Sequence, residues 1–348
     1  MSNSLLRSSL EQALRHIPAR SSVAVALSGG PDSSALAIEA CAWARNHARG
    51  LRLLHVHHGL QQQADAWTET VRQLASLLDL ALDIRHVKVD LNSGHGLEGA
   101  ARNARYAAIE SMAHENHVGV ILLAHHQQDQ AETVLMRLLR GAGVTGLAGM
   151  AQTTERSGLY WVRPWLDVPR QDILDSLVAF SVQTGWLPVD DPSNFDDNLA
   201  RGTLRSKVIP AIRTHWPSWH QTLTRHAEQA AQADRLLVRY GKQLLAQITT
   251  DSAADWPVLS LAQWRELQSD EQVLVIRVWL RLAGVQMPTD RRLADLLRQL
   301  RQVHALGHDR DLQWQQRDCR ISCIRGQLHL YVKIAGFEDE GVSDVTEQ

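Results

Sequence analysis

Cysteine is scarce in this chain: three in 348 residues, Cys41, Cys319 and Cys323, with no Cys-x-x-Cys pair among them. That supports no disulfide framework and no Fe–S role, and it suits a reducing compartment. Long apolar runs are missing too. The N-terminal MSNSLLRSSLEQAL carries one short amphipathic helical pattern, and no later run approaches a membrane span, so the expectation is a soluble, cytoplasmic protein with no membrane partner. Net charge is small, at −2, and by itself argues neither for nor against a polyanionic partner. By region, residues 217–333 hold 16 Lys+Arg against 12 Asp+Glu, whereas residues 334–348 hold five acids and no base. The mild basic excess is compatible with an RNA-facing surface, although solvated helix faces explain it as well on charge alone. Internal repeats and low-complexity segments are absent.

What the chain does have is one turn around which the rest is arranged. Ser28-Gly29-Gly30-Pro31-Asp32-Ser33-Ser34 ends the apolar run Val23-Ala24-Val25-Ala26-Leu27 and precedes helix-forming residues from Ala35 to Ala44. An unbroken apolar run turning into a helix reads as a buried parallel strand. Two adjacent glycines let the backbone approach an anion, Ser28, Ser33 and Ser34 add hydroxyls, and the N–H groups opening the helix supply partial positive charge. The turn therefore reads as a phosphate site, with an ordinary Gly-rich strand-to-helix turn the alternative on these residues alone. No lysine follows the glycines and no third glycine completes a dinucleotide fingerprint, which excludes the two commonest nucleotide loops.

The alternation continues. A strand over Leu51–His57 ends in His58-Gly59, and a helix over Ala64–Leu78 leads to a strand around Leu82–Val89. Glycines 94, 96 and 99 open a helix Leu97–His117; Gly119–Ala124 is another buried strand, Gln127–Arg140 an amphipathic helix, and Tyr160-Trp161-Val162 a short last strand. Residues 20–185 thus read as an α/β doubly wound parallel sheet, whose ligands sit beyond the carboxyl ends of the strands. Beyond Trp216-Pro217 the texture changes to long helical patterns (Trp219–Ile248, Asp270–Leu282, Asp290–Gln302), followed by strand-like alternation around Arg325-Gly326. The expected organisation is a catalytic domain 1–216, a smaller, mainly helical domain 217–333, and an acidic, disordered tail 334–348.

A second stretch carries chemistry. In Ala124-His125-His126-Gln127-Gln128-Asp129-Gln130-Ala131-Glu132-Thr133, Asp129 and Glu132 are three apart near a helix start, so both carboxylates share one face. They could hold Mg²⁺ on a nucleotide's phosphates, pair with an ammonium group, or simply complement the helix dipole. His125 and His126 lack the cysteines or compact ligand set of a zinc site.

Together these stretches resemble the tRNA(Ile)-lysidine synthetases, a branch of the PP-loop ATP pyrophosphatases. The resemblance rests on SGGPDSS after a strand and on AHHQQDQAETVLMRLLRGAG with Gly146-Leu147 and Gly149-Met150 behind it. Four more segments agree: His55-Val56-His57-His58-Gly59-Leu60, the run Leu97–Tyr106, Arg163-Pro164-Trp165-Leu166, and Asp191-Pro192-Ser193-Asn194 leading to Arg201, Arg205 and Pro210. Six motifs in order span residues 23–210, and a weaker resemblance runs to about residue 333. It implies a Rossmann-like fold of the adenine nucleotide alpha hydrolase type. It also implies a ligase that takes ATP with Mg²⁺, L-lysine and the isoleucine tRNA with a CAU anticodon. The wobble cytidine is adenylated, pyrophosphate leaves, and the ε-amine of lysine displaces AMP to give lysidine.

Carried onto this sequence, the resemblance implies ATP binding by Ser28, Gly29, Gly30, Pro31, Asp32, Ser33 and Ser34, with Asp32 on the metal or the transferring group. Arg105, with Arg102 beside it, is expected to grip the α-phosphate or the cytidine. Asp129 and Glu132 are expected to hold lysine's amine and accept its proton, with His125 or His126 as substitutes. Arg201 and Arg205 are read as contacts to the tRNA backbone or as helix-surface charge. Trp161, Trp165 and Trp186 could stack on a base, though core packing is the commoner use. Two positions depart from the family pattern: Gln128 stands where an acid is more usual, and Gly202 follows Arg201 where asparagine is. The chain is expected to lack the third domain of longer members, leaving acceptor-stem recognition reduced or assigned to residues 217–333. Whether it forms a homodimer is left open. The rival readings are another PP-loop enzyme, such as a tRNA thiolase or an amide-forming synthetase, and a tRNA-binding protein without catalysis. A thiolase needs a cysteine pair or cluster that Cys41 alone does not supply.

Overall fold

A computed structural model describes residues 2–18, 21–57, 59, 64–87, 96–190, 200–251, 254–303, 312–316 and 318–332. His58, Leu60, Gly94, the Asp191–Asn194 motif and the tail 334–348 lie outside the described residues. The chain divides into two compact units, 1–231 and 232–348, and the division falls inside a single helix, α10 (Trp219–Ile248).

In the first unit the elements run α1 (Ser2–Leu14), β1 (Ser22–Ala26), α2 (Pro31–Asn46), β2 (Leu51–His57), α3 (Ala64–Leu78), β3 (Ala81–His86), α4 (Gly96–Glu115) and β4 (Val118–Leu122). There follow α5 (Gln127–Leu139), α6 (Val144–Leu147), β5 (Thr153–Arg156), β6 (Leu159–Val162), α7 (Arg170–Thr184), α8 (Ala200–Thr203), a π-helical turn Leu204–Val208 and α9 (Ile209–His215). The sheet order is β3-β2-β1-β4-β6-β5, with every neighbouring pair parallel except β5 against β6. The antiparallel β5 is an addition to the all-parallel sheet expected from the sequence. Its residues Thr153-Thr154-Glu155-Arg156 are all exposed and carry none of the apolar signal that marks the inner strands.

Side chains alternate across the sheet as the pleat requires. On β1, Val23 and Val25 join the core formed with α1, α2, α3 and α7, whereas Ala24 faces the opposite core beneath α4, among Ile109, Met112 and Ile121. Both faces being covered explains why β1 and β4 read as unbroken apolar runs. The chain leaves β1 toward β2 and β3, then returns to β4 on β1's other side. The order therefore reverses between β1 and β4, and the crevice beyond their carboxyl ends is where such sheets take ligands.

The second unit packs α11 (Leu261–Glu266), α12 (Ser269–Leu282) and α13 (Asp290–Gln302) with a five-stranded sheet of order β7-β8-β11-β10-β9. Its strands are β7 (Thr249–Asp251), β8 (Val258–Ser260), β9 (Leu312–Gln315), β10 (Cys319–Ile324) and β11 (Gln327–Val332), all paired antiparallel. Its core is built on Trp264, Trp279 and Trp314 with Leu293, Leu296 and Leu300. The β10–β11 turn is Arg325-Gly326, both with positive φ, the backbone a tight hairpin needs.

Candidate active site

Three strand ends supply the site. Beyond β1 the loop Ser28–Gly30 enters α2 with Gly29 at φ +91°, and a Cβ there would lie 3.0 Å from Val71 Cγ2 and 3.1 Å from Val189 Cγ2. Only glycine fits. Gly30 is the N-cap of α2 and Pro31 follows it, so no side chain caps this helix and its first turn opens with the N–H groups of Asp32 and Ser33. The serines divide the work. Ser33 Oγ lies 2.9 Å from Ser28 Oγ, accepts from the Ser28 N–H at 3.2 Å and reaches the Gly30 carbonyl at 3.1 Å. Ser34 is fully buried and its hydroxyl donates to the Gly29 carbonyl. Ser34, expected as an ATP contact, is here a brace inside the loop.

Beyond β4, His126 caps α5. Its Nδ1 accepts from the Asp129 N–H while the Asp129 carboxylate accepts from the His126 N–H at 3.2 Å, a reciprocal capping box. With Nδ1 an acceptor, the proton sits on Nε2. That nitrogen lies 3.3 Å from Asp129 Oδ2 and 3.8 Å from Asp32 Oδ1. His126 thus joins the phosphate loop to the acid pair, two motifs roughly a hundred residues apart.

The acids are strongly paired. Glu132 accepts from Arg201 Nε at 2.8 Å and from Arg205 Nε at 2.7 Å, and Arg205 Nη2 reaches Asp129 Oδ1 at 3.2 Å. Arg201 Nη2 lies 3.5 Å from the same oxygen. Burial pushes the Asp129 carboxyl up, but His126 beside it, the His126 N–H donated to it and the Arg201 guanidinium outweigh that and the net shift is downward, so Asp129 stays ionised. Arg201 and Arg205, considered from sequence as tRNA-backbone contacts or surface charge, turn inward onto the acids. Their reach is set by α8 and the π-helical turn, a form common at functional sites.

A cluster of cations lies alongside. Arg105 is half-buried, with no carboxylate partner among the described residues, and burial draws its pKa down, followed by opposing effects of Tyr106 and of Arg102 and Arg201. The exposed Arg102 lies over the Tyr106 ring at 5.4 Å, and Arg163 donates to the Ala151 carbonyl. Burial, with Arg163, Arg201 and Arg102, holds His125 down to about 3 against the pull of Asp129. His125 is therefore neutral, and its buried Nδ1 takes no hydrogen bond among the described residues. It can hydrogen-bond a ligand but is a poor store for a proton. Trp161, Trp165 and Trp186 are all buried, and the indole N–H groups of Trp165 and Trp186 go to the carbonyls of Leu6 and Thr70. None offers a face to a base.

Arg170 is the residue that sequence reasoning missed. Its Nε donates to Asp32 Oδ1 at 3.1 Å and its Nη2 to Asp32 Oδ2 at 3.3 Å, across 138 residues. The Arg170 N–H in turn donates to Gln128 Oε1 at 3.1 Å, giving a use to the residue that departs from the expected pattern.

This geometry can be set beside known proteins. Residues 3–212 match the PP-loop domain family, and residues 259–329 match the TilS substrate binding domain. The tRNA(Ile)-lysidine synthase of Bordetella bronchiseptica is 46% identical over 93% of this chain and 93% of its own length. The chain belongs to the tRNA(Ile)-lysidine synthase family. A longer synthase of the family, from Ralstonia nicotianae, is 41% identical over 82% of this chain and 60% of its own length. Among solved structures, a U34-tRNA thiolase from Methanococcus maripaludis matches with a TM-score of 0.53 and 16% identity, covering 65% of this chain and 78% of that one. That match bears on the fold alone. Cys41 is buried in α2, and Cys319 and Cys323 are buried in the second unit. Among the described residues no helix is long and apolar enough to cross a membrane.

Proposed function

We propose that the protein ligates L-lysine to the wobble cytidine of the CAU-anticodon isoleucine tRNA, with ATP converted to AMP and pyrophosphate, in the cytoplasm. The observation that carries this reading is the meeting of Asp32, His126 and Asp129, which puts a phosphate-binding helix start and a pair of acids in one crevice. The base's carbonyl oxygen attacks the α-phosphorus and pyrophosphate departs toward the N–H groups that open α2. Arg105, a guanidinium with no carboxylate partner among the described residues, supplies charge to the α-phosphate or the adenylated base. Lysine's amine then attacks as the free base. Asp129 holds it and, staying ionised, relays its proton to solvent as AMP leaves, and Glu132 keeps Arg201 and Arg205 in place, where they can meet a carboxylate of the amino acid. Reading Arg201 and Arg205 this way replaces the expectation of tRNA-backbone contacts.

Among the described residues no group of three or more His, Cys, Asp or Glu could hold a metal through protein ligands. Mg²⁺ suits this site in its usual manner, carried by the phosphates with Asp32 as one protein ligand, and when bound it supplies positive charge against the leaving pyrophosphate. The test is pyrophosphate release by the purified protein with unmodified isoleucine tRNA, with and without lysine, beside Asp129→Asn. Release with tRNA alone, and lysine incorporation by the wild type only, is expected. No tRNA-dependent release at any lysine concentration would overturn the reading.

A further inference from the structure

Among the described residues, Arg170 is the only guanidinium recorded on the phosphate loop, and its side chain is 42% exposed while both of its contacting nitrogens rest on Asp32. It is delivered there by backbone. The segment before it runs along the start of α5, with His126 bridging Trp165, the Gln127 N–H donating to the Val168 carbonyl at 3.0 Å, and Gln127 Nε2 reaching the Asp167 carbonyl. α7 has no side-chain cap from its own N-cap, Pro169; the side-chain amide oxygen of Gln128, on another helix, accepts its first N–H instead.

Asp32 has a favourable setting apart from the arginine. It lies in the first turn of α2, where the helix dipole favours a carboxylate, and His126 Nε2 stands 3.8 Å away. A fork fixed at its root, with its exposed part beside the open start of α2, suits a polyphosphate better than a counter-ion role alone.

We propose that Arg170 is a further catalytic residue, which grips the β- and γ-phosphates of ATP and accompanies the pyrophosphate as it leaves. This rests on the adenylation step above. There the bond from the α-phosphorus to the bridging oxygen breaks and its electron pair goes with pyrophosphate, so the added charge falls where Arg170 can meet it.

The experiment is calorimetric binding of inorganic pyrophosphate and, separately, AMP to the full chain with magnesium present, for the wild type, Arg170→Ala and Arg170→Lys. Arg170→Ala should weaken pyrophosphate binding about 10- to 100-fold, the loss of a charge-assisted contact, and leave AMP binding unchanged. Arg170→Lys should recover part of it. In single turnover, pyrophosphate release should slow while lysine's attack on preformed adenylate keeps its rate. Equal pyrophosphate affinity in Arg170→Ala would overturn the proposal, as would a parallel loss of both ligands with a lowered Tm, which marks a strut between α2 and α7. A wild type that binds AMP but not pyrophosphate would overturn it too, sparing the nucleotide site; one that binds neither would overturn both.

Discussion

Two helix starts face the same crevice and are finished in opposite ways. α2 begins at Gly30-Pro31 with no side-chain cap, whereas α5 begins at His126 with a reciprocal capping box. An uncapped start keeps its N–H groups for an anion from outside. A capped start has spent them, so what it offers a ligand is side chains: Asp129, Glu132 and the arginines they hold. Under the proposed function, nucleotide and amino acid would meet two different chemistries, linked by His126 between Asp32 and Asp129.

The strongest way to break this contrast is at the side-chain end. Glu132→Ala leaves Arg201 and Arg205, each with about a quarter of its side chain exposed, sharing Asp129 alone. A loss of about 3 kcal/mol in urea unfolding is expected, together with loss of lysine incorporation; Glu132→Gln should cost less stability and as much incorporation. At the backbone end, Gly29→Ala forces a Cβ against Val71 and Val189 at a positive φ. About 1–2 kcal/mol of stability and roughly 100-fold in pyrophosphate release should go, the first read by urea titration and the second by a coupled phosphate assay.

His125 sharpens the comparison through pH. Its folded pKa of about 3 lies below the ordinary 6.5, so the unfolded chain takes up the proton first on acidification. Stability is fully present above about pH 6.5 and drains as pH falls toward 3, by about 1 kcal/mol at pH 5.5. Urea titrations at pH 7 and 5.5 should show that loss in the wild type and a smaller one in His125→Gln. The smallest effect is the most direct. Gly30→Ser gives α2 a capping hydroxyl in space a Cβ can occupy, its nearest neighbour Ser28 Oγ at 3.6 Å. It should gain about 0.3 kcal/mol and weaken ATP binding several-fold, readable by thermal shift and calorimetry.

Much of this was legible in the chain itself. β1 and β4 are continuous apolar runs because both faces are buried, and Gly29 announces the loop because its positive φ and the close approach of Val71 and Val189 leave no room for a side chain. α13 was located to the residue, Asp290 through Gln302, by its apolar period. What stayed hidden was who pairs with whom. An arginine's period and neighbours say nothing about whether it faces water or an acid 69 residues away, as Arg201 faces Glu132. Arg170 and Gln128 were invisible for the same reason, since their meaning lies in a contact with Asp32 and a backbone N–H that only the folded sheet brings near. β5 escaped because a polar edge strand has no face to bury.

That edge strand has a consequence of its own. β5 ends the sheet on one side with four exposed residues, joined to β6 by Ser157-Gly158, both at positive φ. On the other side β3 carries Asp83 and Arg85, held by Arg52 and Glu115. A foreign strand approaching either margin meets charge and hydroxyls in place of an apolar ribbon. The sheet therefore resists zippering into larger aggregates, and the enzyme can be crowded without its strands recruiting those of its neighbours.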